Sequence, residues 1–126
     1  MVAKAGTLLI PSGPANDPAR RHLHVVCTDP CKNGNQVIVS ITTWTNDLCD
    51  GTCIMQAHEH EWLTHQSYIL YRKARIEAAA TLENGVRLGI FEQQAPMNGQ
   101  TFLRIKNGIC RSIQTPRKVK LYCGCN

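Results

Sequence analysis

The stretch from Arg20 to Thr43 constrains this chain most. Two arginines precede an apolar run (Val25, Val26). Asn33-Gly34-Asn35 follows, then a second run (Val37, Ile38, Val39, Ile41) that closes on Thr42 and Thr43. β-Branched residues fit a pleated, buried surface. Asn and Gly tolerate the positive φ of a turn. The pattern therefore predicts two antiparallel strands, the first beginning beside the end of the second. Arg20 and Arg21 then approach Thr42 and Thr43. A guanidinium fork beside hydroxyl groups suits a phosphate. The plainer reading is a solvated strand end, with the threonines chosen for strand propensity.

A chain of 126 residues suits one domain with one core. It holds no run of about 18 apolar residues, the length that spans a membrane, and the apolar run near its N-terminus is short for a signal-peptide core. A cytoplasmic location is the default. The seven cysteines are an odd number, which without a secretory signal favours reduced thiols over a disulfide framework. Cys27 and Cys53 lie in apolar runs and read as small core residues. The net charge of +5 is concentrated. Arg104, Lys106, Arg111, Arg117, Lys118 and Lys120 fall in the last quarter, which has no acid after Glu92, and Arg72, Lys73 and Arg75 form a second cluster. Such clusters fit a polyanion such as RNA or DNA, or simply a solvated face.

Along the chain, Thr7 to Ile10 predicts a strand stopped by Pro11, and Pro11 to Arg20 a proline-rich loop. Trp44 to Gly51 reads as a loop and Thr52 to Gln56 as a fourth strand. His58 to Gln66 reads as irregular, and Ser67 opens another strand. Ala78 to Ile90 is helix-competent, with Gly85 as a weak point. Asn98 can cap a helix running to about Ile113, with Phe102, Ile105, Ile109 and Ile113 on one stripe. Thr115-Pro116 ends it, and Val119 to Cys123 reads as an edge strand. Strands come first and helices later, without alternation. That argues for a mainly β domain, a small antiparallel barrel or curled sheet with packed helices.

Several constellations carry chemistry on paper. Cys49, Cys53, His58, His60 and His65 are ligand types for zinc, at spacing that fits a structural site poorly. Cys123-Gly-Cys125 is shorter than a Cys-x-x-Cys motif. Glu59, His60 and Glu61 can do acid–base work or form a polar loop. No Gly-rich phosphate loop, nucleophile elbow or dinucleotide fingerprint occurs.

Together these pieces resemble the PemK/MazF-like toxin superfamily of toxin–antitoxin modules. The matching segments are Gly6–Pro11, Arg21–Val26 and Val37–Thr43 as the first three strands. His60-Glu-Trp-Leu-Thr-His65-Gln-Ser67-Tyr resembles a subgroup with a His…His-x-Ser-Tyr pattern. The resemblance implies an SH3-like antiparallel barrel with a C-terminal helix. It also implies a homodimer, metal-independent cleavage of single-stranded RNA without a cofactor, and silencing by an antitoxin protein. Residue by residue it implies Arg21 at the opening of the second strand, with Arg20 as its substitute if the register shifts by one, and Thr42 or Thr43 at the end of the third. By their own chemistry, His60 and His65 are candidates to move protons and Trp44 to stack a base, and by charge Arg117 and Lys118 are candidates to hold RNA. Family members often carry Arg-Pro where this chain has Arg21-His22. The alternative is a non-catalytic barrel that binds nucleic acid or protein.

Overall fold

Residues 1–12 and 20–126 are described by the computed structural model. Among them are seven strands: β1 (Thr7–Pro11), β2 (Arg21–Val26), β3 (Asn35–Thr43), β4 (Ile54–Met55), β5 (Ser67–Ile69), β6 (Arg75–Ala78) and β7 (Glu92–Gln94). Three helices join them: α1 (Ala79–Arg87), α2 (Gly99–Arg111) and α3 (Arg117–Tyr122). The fold is mainly β, and every strand pairing is antiparallel. The strand order is β4-β5-β3-β2-β1-β7, with β6 also on β3, and the two ends of this path do not pair among the described residues. Residues 13–19 of the predicted proline-rich loop lie outside the described residues.

β3 organises the sheet. Its first four residues pair with β6, its middle residues Ile38 to Ser40 pair with β2, and its last three pair with β5. Ile41 faces Ile69 and Ile38 faces Arg75, so two residues of β3, Val39 and Ser40, oppose five of the neighbouring chain, Leu70 to Ala74. The surplus is a single 3-10 turn, Tyr71–Lys73. The turn drives Tyr71 into the core, where its hydroxyl donates to the Ile105 carbonyl of α2 at 2.7 Å. Gly108 lies beside that ring, and a Cβ there would overlap the Tyr71 hydroxyl.

The apolar runs lack alternation because both faces of the central strands are covered. Leu9, Leu23, Val25, Val37, Val39 and Ile41 share a cluster with Phe102, Ile105 and Ile109 of α2 and Val119 of α3. The opposite residues, Leu8, Ile10, Val26 and Ile38, pack with Leu82 of α1. Gly34 supplies the positive φ of the β2–β3 connection (76°).

Asn98 caps α2 as expected, its side chain accepting from the Gln100 and Thr101 amides. Three expectations are corrected. α2 stops at Arg111, because Ser112 turns extended and donates its hydroxyl to Asp50 at 2.6 Å. Ile113 therefore leaves the apolar stripe and is 95% exposed. The predicted edge strand after Val119 is α3, capped by Pro116, which anchors through buried Val119 and through the Tyr122 hydroxyl donating to the Asn35 carbonyl at 2.8 Å. Cys110 and Cys125 form a disulfide, their Cα atoms 5.3 Å apart, because α3 folds the tail back along α2. The other five cysteines are free thiols, with Cys27 and Cys53 buried as expected.

Candidate functional site

Hydrogen bonding between β2 and β3 stops at the His24–Ser40 pair. β2 continues outward against β1 as far as Arg21, while β3 turns to β5 through Thr43. The arginine end of β2 and the threonine end of β3 therefore part. A cleft of about 210 Å³ opens between them, lined by Arg20, Arg21, His22, Thr42, Thr43 and His65, with Leu23, Ile41 and Leu63 as apolar wall. The corner expected from the sequence exists as a concave surface that holds both arginines and both threonines.

The segment before β5 closes the cleft with Trp62, Thr64 and His65, joined by Ser67 at the start of β5. It holds its shape through His60. This imidazole is buried, its Nε2–H donates to the Ala95 carbonyl at 2.6 Å, and its Nδ1 accepts from the Trp62 amide at 3.0 Å. Both ring nitrogens are committed to backbone, and His60 does not line the cleft. Glu59 secures the same segment by accepting from Arg104 at 2.5 Å and from the Gln56 amide at 2.7 Å. Leu63 is buried and fixes the outer end.

Arg21 is paired with Glu92 of β7 at 2.7 Å, both side chains being partly exposed. Such a surface pair contributes about 0–1 kcal/mol, so a phosphate anion can displace Glu92 from the guanidinium. No Asp or Glu belongs to the cleft lining, which makes it a poor holder of a hard divalent cation.

His22 is the residue that the sequence reading passed over. It is half-buried in the cleft, and its Nδ1 shares a 2.6 Å hydrogen bond with Ser12 Oγ. Burial first, then the charges of Arg20 and Lys73, hold its pKa below the usual value for histidine. A neutral imidazole beside two guanidinium groups is equipped to accept a proton. The signal was present in the sequence, as His22 sits one residue from Arg21, but strand alternation alone would point it to the opposite face. Only the splay of β2 from β3 lets it line the same cleft.

The other expected positions fall elsewhere. Trp44 is not in the cleft lining and packs edge-on against Tyr68, ring centroids 5.7 Å apart. Trp62 is the aromatic residue of the cleft and is 42% exposed. Arg117 and Lys118 are exposed on α3, outside the cleft lining. The zinc ligand types do not converge, and among the described residues no group of three or more His, Cys, Asp or Glu could hold a metal. Cys53 is buried, whereas Cys49 sits near the surface against Thr45, its thiol pulled down to about 7 by the Asn46 amide and the Thr45 hydroxyl.

No protein family, curated protein or solved structure compared with this chain matches it. Among the described residues, no helix is long and apolar enough to cross a membrane.

Proposed function

We propose that this chain is a toxin-like, metal-independent endoribonuclease that cleaves single-stranded RNA on an SH3-like curled sheet. The observation that carries the reading is the cleft itself, which gathers Arg20, Arg21, His22, Thr42, Thr43 and His65 without a carboxylate in its lining.

The chemistry follows from those groups. With Nδ1–H donating to Ser12, His22 Nε2 holds a lone pair and takes the proton of a ribose 2′-OH. The 2′-oxygen attacks the adjacent phosphorus, forming a 2′,3′-cyclic phosphate. The bond to the 5′-oxygen of the next nucleotide breaks, and that oxygen leaves with a proton from His65. Arg21 exchanges Glu92 for the phosphate and stabilises its growing negative charge, with Arg20 beside it. Thr42 and Thr43 orient a phosphate oxygen, and Trp62 offers an exposed ring face for a base. His60 has no proton role in this scheme, because both its nitrogens are occupied. On the same reading the chain pairs with a second copy, and an antitoxin protein covers the cleft.

Arg21→Ala is expected to lower the cleavage rate about 10²–10³-fold, the usual cost of losing a preorganised donor, with the circular dichroism spectrum and melting temperature retained. Unchanged cleavage by the variant would sink the assignment. The second reading, RNA binding without cleavage, is favoured by the Arg21–Glu92 pair, which occupies the guanidinium before any ligand arrives. It predicts salt-dependent RNA binding and intact RNA after long incubation.

A further inference from the structure

His22 lines two clefts. The second, about 140 Å³, is bounded by Ser12, His22, His24, Ser40, Lys73 and Arg75, with Leu70. Its construction follows from the two irregularities of the sheet. Alternation along β2 puts His22 and His24 on one face. The 3-10 turn inserted between β5 and β6 then delivers Lys73 at its end and Arg75 just beyond. Lys73 is exposed and takes part in no ion pair among the described residues. Arg75 is held by Glu77 at 2.9 Å, and His24 is neutral through burial. Ser12 and Ser40 add hydroxyl donors. Like the first cleft, this one has no Asp or Glu in its lining. Arg20 lines the first cleft and Lys73 the second, and the charges of both act on the His22 ring.

We propose that the second cleft is a phosphate subsite, so that the chain grips two phosphates of one single strand, one on either side of His22. The proposal rests on the nucleic-acid reading of the first cleft and adds to it a minimum substrate: an oligonucleotide, with Lys73 as the anchor of the second phosphate. Both clefts are small and share His22 in their linings, which suits a flexible single strand and not a duplex.

The test is binding of 2′-deoxy strands, which cannot be cleaved, measured by fluorescence anisotropy across a salt series. A dinucleotide with a single phosphate and a hexanucleotide serve as probes, with wild type, Lys73→Ala, Lys73→Arg and Arg21→Ala. Lys73→Ala is expected to weaken the hexanucleotide about five- to tenfold and to reduce the slope of log affinity against log salt by about 0.7, the loss of one phosphate contact on a single strand. Dinucleotide binding stays as in wild type, and Lys73→Arg restores the hexanucleotide. Arg21→Ala weakens both probes. Hexanucleotide binding by Lys73→Ala with wild-type affinity and slope, while Arg21→Ala still loses it, overturns the second subsite and leaves the first. An equal loss for both probes in Lys73→Ala assigns Lys73 to the first cleft and also overturns the proposal. No salt-dependent binding by wild type overturns both readings together.

Discussion

His22 and His24 on β2 and His60 before β5 differ in what surrounds their rings. His60 is a staple between the Trp62 amide and the Ala95 carbonyl. His22 borders two clefts. His24 is buried on β2, its Nδ1–H donating to the His22 carbonyl at 2.8 Å, and burial pulls its pKa from 6.5 to about 4. The last value has a consequence for stability. In the unfolded chain His24 takes up a proton near pH 6.5, and in the folded chain only near pH 4. Between these values the unfolded state binds more protons, so acid favours unfolding. The free energy of unfolding is expected to fall by a few kcal/mol as pH drops from about 6.5 to about 4, with His22 acting in the same direction. His24→Gln should flatten that part of the profile in urea titrations. A wild-type profile flat over this window would show that His24 is not held neutral by the fold.

The elements divide by how their signals are encoded. β1, β2 and β3 were legible because β-branched runs, Pro11 and Gly34 mark them locally. α2 was legible from Asn98 and the spacing of Phe102, Ile105 and Ile109. α3 was not, because Val119 to Cys123 alternates like a strand while its real anchors, Val119 and Tyr122, stand at helical spacing. β7 was not, because Glu92-Gln93-Gln94 has no strand propensity and exists only by pairing with β1. The arginine–threonine corner was legible, but its third wall was not, since it depends on a backbone staple at His60. The 3-10 turn also escaped, although it decides how α2 sits. Gly→Ala within a helix usually gains about 1 kcal/mol. At Gly108 the added methyl would meet the Tyr71 hydroxyl, so Gly108→Ala is expected to cost about 1–3 kcal/mol, the range for overpacking. Thermal melts of Gly108→Ala, Tyr71→Phe and the double variant measure it, and the two effects should be less than additive because they share one contact. A Gly108→Ala protein at or above wild-type stability would mean that the Tyr71–α2 packing is wrong.

At the scale of the molecule, the sheet is covered on both faces, and the cleft opens at the Thr43 end of β3. The helical tail fastens to the other end, through Tyr122 on Asn35 and through the Cys110–Cys125 disulfide. That bridge closes a loop of 15 residues in sequence separation, which corresponds to about 3 kcal/mol. A reductant, or Cys110→Ala with Cys125→Ala, is expected to lower the denaturation midpoint accordingly and to leave RNA cleavage unchanged, since the bridge and the cleft occupy opposite ends. A midpoint indifferent to reductant would count against the bridge.

The cleft between β2 and β3 is proposed to cleave RNA by proton transfer and charge stabilisation alone. The most direct test is incubation of wild type and Arg21→Ala with an RNA containing single-stranded segments, in excess EDTA, followed by analysis of the product ends. Cleavage by wild type, at least a hundredfold weaker in the variant and leaving a 2′,3′-cyclic phosphate and a 5′-hydroxyl, is the predicted result. Intact RNA with wild type, or products with 5′-phosphate ends, would contradict it.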